Sequence, residues 1–196
     1  PMVMTMALCR FTAKFLAFLT CSFSIVLSPI AARSENTERA VSFVNDVMPV
    51  LTKAGCNAGV CHAKAGGGQN GFQLSLFGFE FQEDYEHLVK EGRGRRLFPA
   101  APERSLLLRK AAGKMPHGGG VRLQTESEGY VLLLNWIRQG AAYDGDTAPQ
   151  LTSIEVQPNR GTVVRNAAQQ LKAIAKYANG SERDVTGFAL FESNDK

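Results

Sequence analysis

The sequence predicts a mainly α-helical domain followed by an incomplete all-β segment, and three observations predict this division. Apolar residues recur at helical spacing in several stretches between residues 41 and 140. The composition changes over residues 144–149, after which apolar and polar residues alternate as in strands. Only residues 151–196 follow this change, whereas a two-sheet sandwich needs about 100 residues. We therefore expect a helical domain over 35–145 and a partial β-domain over 151–196.

Residues 1–34 have the profile of a secretory signal peptide. Arg10 and Lys14 precede an uncharged run from Phe15 to Ala32 that is rich in Phe, Leu, Ile and Val. The alternative is an uncleaved membrane anchor, but serines and a proline within the run disfavour it. We expect export to the periplasm or cell envelope, with no stable membrane span after the signal is cleaved.

Cleavage of the signal changes both the charge and the cysteine count. Loss of Arg10 and Lys14 lowers the formal net charge from +4 to about +2. The positive charge of the whole chain therefore does not indicate a nucleic-acid partner. Cys9 and Cys21 leave with the signal, and the mature chain keeps only Cys56 and Cys61.

The first predicted helix leads into these two cysteines. Asn36 or Thr37 can cap a helix whose apolar residues follow the helical period, and Gly55 ends it. Pro49 lies inside this pattern and requires either a kink or a short second helix with the proline in its first turn.

Cys56 and Cys61 flank residues 57–60, and His62 follows directly. This C-x4-C-H pattern differs from the C-x-x-C-H haem attachment signature only in the length of its spacer. The two thiols can form thioethers with the vinyl groups of one haem, and the adjacent imidazole can then serve as the proximal iron ligand. Gly59 makes the bulge that a longer spacer needs easy to form. The pattern predicts one covalently bound haem c.

Two other uses of the motif are weighed against haem. A disulfide between Cys56 and Cys61 suits an oxidising compartment, but it gives His62 no role. A zinc site needs four ligands, and besides these three residues the mature chain offers only His87 and His117 among its histidines and cysteines.

Three further helices are predicted after the motif. They cover residues 82–91, ended by Gly92; residues 102–111; and a last helix begun by a Thr125–Glu128 capping box and ended by Gly140. The last helix is expected to pack against the first. The glycine-rich loop at 63–71 and the aromatic stretch at 72–81 are candidate walls for a flat cofactor.

Two further groups of residues are candidates for contact with haem. Met115, with Pro116 after it, is the favoured sixth iron ligand and would raise the reduction potential, and His117 is the alternative. Arg93, Arg95 and Arg96 can pair with the haem propionates. The alternative for these arginines is a solvated patch that docks an acidic partner.

The run from 43 to 140 resembles the cytochrome c-like domain of planctomycete surface proteins. The resemblance is carried by residues 47–51, Cys56 with Cys61 and His62, residues 102–108, Met115 with Pro116, and residues 136–141. It implies a helical cytochrome c-like fold, haem binding by Cys56, Cys61 and His62, and Met115 as the distal ligand. The four-residue spacer and His117 depart from the family pattern.

The segment after Pro149 is expected to contain four strands. They cover residues 153–158, 161–164, 170–177 and 184–186, with Asn179-Gly180 as a hairpin turn. The segment resembles the start of a bacterial Ig-like group 2 domain, and we expect it to be loosely folded when isolated.

Electron transfer by a monohaem c-type domain outside the inner membrane is the leading functional prediction, with a redox partner protein that the sequence does not identify. We expect an electron carrier more than an enzyme. The alternative is an envelope binding protein in which the Ig-like module contacts a cell-surface partner and the haem is structural or sensory.

Overall fold

A computed structural model describes residues 39–194. The predicted signal peptide, including Cys9 and Cys21, and the predicted cap at Asn36 or Thr37 lie outside the described residues. Four α-helical segments are present: α1 (Met48–Lys53), α2 (Phe81–Tyr85), α3 (Leu106–Ala111) and α4 (Glu128–Arg138). Three strands follow them: β1 (Leu151–Gln157), β2 (Lys172–Tyr177) and β3 (Glu182–Asp184).

The prediction of a mainly α-helical, cytochrome c-like fold class with an all-β Ig-like sandwich segment is wrong. Helical segments account for 33% of the described chain and extended segments for 13%. Glycines with left-handed backbone conformation, among them Gly55, Gly92 and Gly113, repeatedly end or interrupt the helices. The described chain is therefore a mixed arrangement of short helices, turns and one small sheet.

The first helical region begins later than the sequence predicts. Ser42 is the cap, because its Oγ accepts a hydrogen bond from the Asn45 N–H at 2.9 Å. A π-helical turn, Phe43–Val47, follows and continues into α1, whose first turn contains Pro49. Proline lacks an N–H and its ring crowds the carbonyl four residues earlier. Pro49 lies in the first turn of α1, as the second alternative for Pro49 expects.

The helices after the motif agree with the predictions in position but not in detail. The predicted helix at 82–91 consists of α2 and a π-helical turn, Glu86–Lys90, and Gly92 has a φ of 60°. The predicted helix at 102–111 is divided by Ser105 into a 3-10 turn, Pro102–Arg104, and α3. The cap of α4 is Ser127, whose Oγ accepts from the Tyr130 N–H, so the predicted Thr125–Glu128 capping box is wrong.

An aromatic cluster holds the helical regions together. The ring of Phe43 lies 5.6 Å from Trp136 and 5.3 Å from Tyr85, measured between centroids. Trp136 is fully buried, and its Nε1–H donates to the Ala142 carbonyl at 3.0 Å. The last helix therefore packs against the first helical region, as expected.

The C-terminal strands form one antiparallel sheet in the order β1-β2-β3. Gly180, with a φ of 79°, lies in the predicted hairpin turn between β2 and β3. The predicted strand at 161–164 does not form, and its residues are exposed. Alternate residues of β2, namely Ala173, Ala175 and Tyr177, are buried.

The sheet is tied to the first helical region by a buried carboxylate. Asp46 is fully buried and accepts hydrogen bonds from Arg39, from the Ser42 N–H and from Arg183 of β3. Asn45 Nδ2 also donates to the Pro149 carbonyl at 2.9 Å, just before β1. The division into domains at residues 145–151 stays a prediction.

Candidate functional site

The three motif residues line one cleft of about 460 Å³. Cys56, Cys61 and His62 all line it, and His117 lines it as well. This volume lies within the range of about 300–1,000 Å³ typical of small-molecule and cofactor sites. The residues that the sequence singles out for haem attachment are therefore brought together at one opening.

The four-residue spacer forms a closed bulge. The His62 N–H donates to the Cys56 carbonyl at 3.0 Å, which joins the two ends of the spacer. Within it, the side chain of Asn57 is buried and donates to Thr52 Oγ1 at 2.8 Å. Val60, at the other end, has 89% of its surface exposed. The extra residues therefore project outward, and both cysteines stay on the same cleft.

The two cysteines are free thiols in different surroundings. Burial raises the pKa of Cys56 to about 11, so this sulfur is a neutral thiol at pH 7. Cys61 receives a long hydrogen bond from Arg122 Nη2 at 3.7 Å. The structure has no disulfide between the two cysteines, and thioether formation requires this unbridged form.

The ring of His62 is held by the loop at 63–74. Its Nδ1 is 3.3 Å from the Phe72 carbonyl, and its backbone carbonyl accepts from the Leu74 N–H at 2.7 Å. Burial lowers the pKa of His62, so the neutral ring is favoured at pH 7. A carbonyl can only accept, so this contact keeps the proton on Nδ1 and leaves the lone pair on Nε2. This is the state that a metal-ligating imidazole needs.

His117 faces the same cleft from the loop after α3. Its Nδ1 lies 2.8 Å from the Gly120 carbonyl, and the Gly120 N–H donates back to the His117 carbonyl at 2.9 Å. The ring centres of His62 and His117 are 6.2 Å apart, and the two planes are inclined by 10°. Two nearly parallel imidazoles therefore share one opening.

Met115 is not among the residues that line this cleft. It borders a second depression, together with Gly113, Lys114, Pro116 and Val121. His117 lies at the boundary and borders both hollows. Met115, the predicted sixth ligand, therefore does not line the cysteine cleft.

The predicted arginine cluster divides into three different environments. Arg96 is 5% exposed, and its guanidinium donates to the carbonyls of Gly71, His87 and Glu91 at 2.6–3.0 Å. It also lies over the ring of Phe72, 4.7 Å from the centroid. Arg95 is exposed and lines the cleft, whereas Arg93 does not line it. Of the three, Arg95 is best placed to meet a propionate, and Arg96 holds the backbone of the cleft.

Sequence reasoning missed several residues of the cleft. Leu106, Leu107 and Ala111 of α3 form an apolar part of its wall, and Lys110 and Arg122 add positive charge. Among the lining residues, all within 39–194, there is no Asp or Glu. Lys110 and Arg122 carry no motif. Lys110 belongs to α3, and Arg122 reaches the cleft because the loop at 113–122 folds back onto α3, where the Arg122 N–H donates to the Ala111 carbonyl at 2.8 Å.

The aromatic stretch at 72–81 is only partly a cofactor wall. Phe72 lines the cleft, and its ring lies 4.6 Å from the ring of His62. Phe77 and Phe79 are 65% and 80% exposed, and neither lines the cleft. Leu74 is buried in the core instead.

The residues present fit a haem better than a bare metal ion. Within the described residues, no group of three or more His, Cys, Asp or Glu could hold a metal. Haem iron needs only axial ligands from the protein, because the porphyrin supplies the others. An apolar cleft with two thiols, two imidazoles and a cationic edge provides the groups for thioether links, axial ligation and propionate pairing.

None of the helices in the described part of the chain has the length and apolar character required to cross a bilayer. No family model, curated protein or solved structure matches this chain.

Proposed function

We propose that this protein is an exported monohaem c-type cytochrome domain that transfers electrons through one covalently bound haem. The observation that carries the proposal is the convergence of Cys56, Cys61 and His62 on one cleft. When bound, the haem supplies a one-electron iron couple. The signal-like segment at 1–34 supports assembly outside the inner membrane, where thiols and haem meet.

Each part of the cleft has a separate task in this proposal. Cys56 and Cys61 provide the sulfurs for the two thioether links, and His62 provides an imidazole with a free Nε2. Leu106 and Leu107 line the cleft and would give a bound haem an apolar wall. Arg95, which is exposed and lines the cleft, would neutralise the carboxylates of the haem propionates.

The test is expression of the full chain in a bacterium with c-type cytochrome maturation, followed by a pyridine haemochrome spectrum. We expect covalent haem at one per chain, a mass increase equal to one haem, and a reversible one-electron couple. Cys56→Ser with Cys61→Ser should abolish attachment, whereas the control Val60→Ser, at an exposed spacer position, should retain it. Folded, exported wild-type protein without covalent haem would refute the proposal.

A second candidate is an envelope binding protein in which haem is structural or sensory. The observation that favours it is the exposure of β1 along its whole length, which includes the apolar residues Ile154 and Val156. Such a surface suits a protein partner. Carbon monoxide binding to the reduced protein distinguishes the two: rapid, saturable binding supports a sensor, and resistance to binding supports an electron carrier.

A further inference from the structure

We infer that His117, and not Met115, is the axial ligand opposite His62, so that two imidazoles hold the iron. This inference rests on the proposed function, because it concerns the ligation of the same haem. It changes the expected electronic character of the site from one thioether and one imidazole to two imidazoles.

The first argument is the distance between the two rings. A metal–imidazole bond is about 2.0–2.1 Å long, so two imidazoles on opposite sides of one metal have ring centres roughly 6 Å apart. The centres of His62 and His117 are 6.2 Å apart, with planes only 10° from parallel. The two rings therefore already have the spacing that one shared iron requires.

The second argument is independent of distance and concerns the other ring nitrogens. Nδ1 of His62 contacts the Phe72 carbonyl at 3.3 Å, and Nδ1 of His117 contacts the Gly120 carbonyl at 2.8 Å. Ligating histidines characteristically donate their second ring N–H to a carbonyl or carboxylate, which fixes the tautomer and the ring orientation. Both histidines have this arrangement, and each keeps Nε2 for a ligand.

The third argument is that the loop fixes His117 in place. Lys110 Nζ donates to the Pro116 carbonyl at 2.8 Å, which ties the loop to α3. A Cβ at Gly119 would lie 3.0 Å from Cε1 of His117 and 3.3 Å from Nε of Arg122. The glycine therefore gives the imidazole and the guanidinium the room to stand side by side at the cleft.

Met115 lacks each of these features. It borders the depression with Lys114 and Val121, outside the cysteine cleft, and Pro116 separates it from His117. Proline restricts the residue before it to extended backbone. Met115 therefore borders a different hollow from the one that His62 lines.

The assignment has a measurable electronic consequence. A methionine opposite histidine raises the reduction potential of a c-type haem. Two imidazoles should therefore give a lower potential than the Met115 alternative. They should also close the sixth position and give a low-spin ferric spectrum.

The experiment compares His117→Ala, His117→Met and Met115→Ala in the full chain, matured with haem. We expect His117→Ala to keep covalent haem but to become high-spin in the ferric state, and added imidazole to restore the low-spin spectrum. His117→Met should raise the midpoint potential. Met115→Ala should keep the spectrum and potential of the wild-type protein.

Other outcomes separate failure of the inference from failure of the proposed function. A low-spin His117→Ala protein together with a high-spin Met115→Ala protein overturns the inference and leaves the haem assignment intact. Absence of covalent haem from the folded wild-type protein overturns the proposed function itself. If His117→Ala fails to mature, the potentials of His117→Met and Met115→Ala decide the assignment, because an unchanged His117→Met potential contradicts ligation by His117.

Discussion

The aromatic core and the cysteine cleft of this protein are built by different interactions. In the core, Phe43, Tyr85 and Trp136 pack with centroid distances of 5.3 and 5.6 Å. In the cleft, hydrogen bonds from side chains to the backbone, such as those of Arg96 and His117, fix the walls. Packing therefore sets the stability of the chain, whereas a few polar contacts in loops set the shape of its site.

Trp136→Ala should have the largest effect and should act on stability. Removing a fully buried tryptophan leaves a cavity, and such changes cost about 3–5 kcal/mol. The measurement is denaturant unfolding of the haem-free protein, with Trp136→Phe as the milder control. A loss below about 1 kcal/mol would contradict the view that aromatic packing dominates.

Asp46→Asn tests whether the sheet depends on the helical region. Burial alone would raise the pKa of Asp46, but hydrogen bonds from Arg39, Arg183 and the Ser42 N–H lower it below the ordinary value of 3.8. The stabilising contribution is therefore complete above about pH 4 and declines as pH falls through the lower, folded pKa. At neutral pH the substitution should cost about 2 kcal/mol, and it should flatten the loss of stability as the pH falls below about 4.

The matched control for Asp46→Asn is Glu155→Gln, which breaks an exposed pair with Lys176 on the same sheet. We expect no measurable change in stability from the control. Equal effects of the two substitutions would show that burial of the Asp46 carboxylate is unimportant.

Arg96→Lys should separate the two regions most clearly. Lysine cannot reproduce the fork that binds the carbonyls of Gly71, His87 and Glu91, and the unmet hydrogen bonds should cost about 1–3 kcal/mol. Because Gly71 lies between Asn70 and Phe72, which line the cleft, the yield of covalent haem should fall as well. Arg93→Lys, outside the cleft, should leave both quantities unchanged.

Phe79→Ala should have the smallest effect. The side chain is 80% exposed, so stability should change by less than about 0.5 kcal/mol and haem attachment should not change. Phe72→Ala is the comparison, because Phe72 lies against His62 and Arg96 and should lower both stability and haem yield. Similar behaviour of the two variants would indicate that the whole stretch at 72–81 forms a cofactor wall.

The local part of the candidate site follows directly from the order of residues in the chain. Cys56, Cys61 and His62 are neighbours in the chain, so one turn of backbone brings them to the same cleft. The helix positions and the hairpin at Gly180 also follow from local signals.

The remaining features depend on contacts between distant segments. Arg96 donates to the carbonyl of Gly71, which is 25 residues away in the sequence. Arg122 donates to Cys61, which is 61 residues away in the sequence. No local sequence pattern therefore reveals either role. The fold class was missed for a related reason. Helical periodicity marks which residues face the core, but left-handed glycines such as Gly55 and Gly92 limit how far each helix extends.

The hydrogen bond from the His62 N–H to the Cys56 carbonyl closes the cysteine spacer into a loop. The number of residues between the cysteines is therefore a property of that loop. Residues 58–60 lie within that closed loop and are exposed. The Ala58 carbonyl accepts from the N–H groups of Cys61 and Ala63 at 2.9 and 3.3 Å, so a change of length at Gly59 and Val60 alters the exposed part of the loop. Searches that require two residues between the cysteines would pass over sites of this kind. A search for a Cys–Cys–His set closed by this backbone contact would find them whatever the spacing.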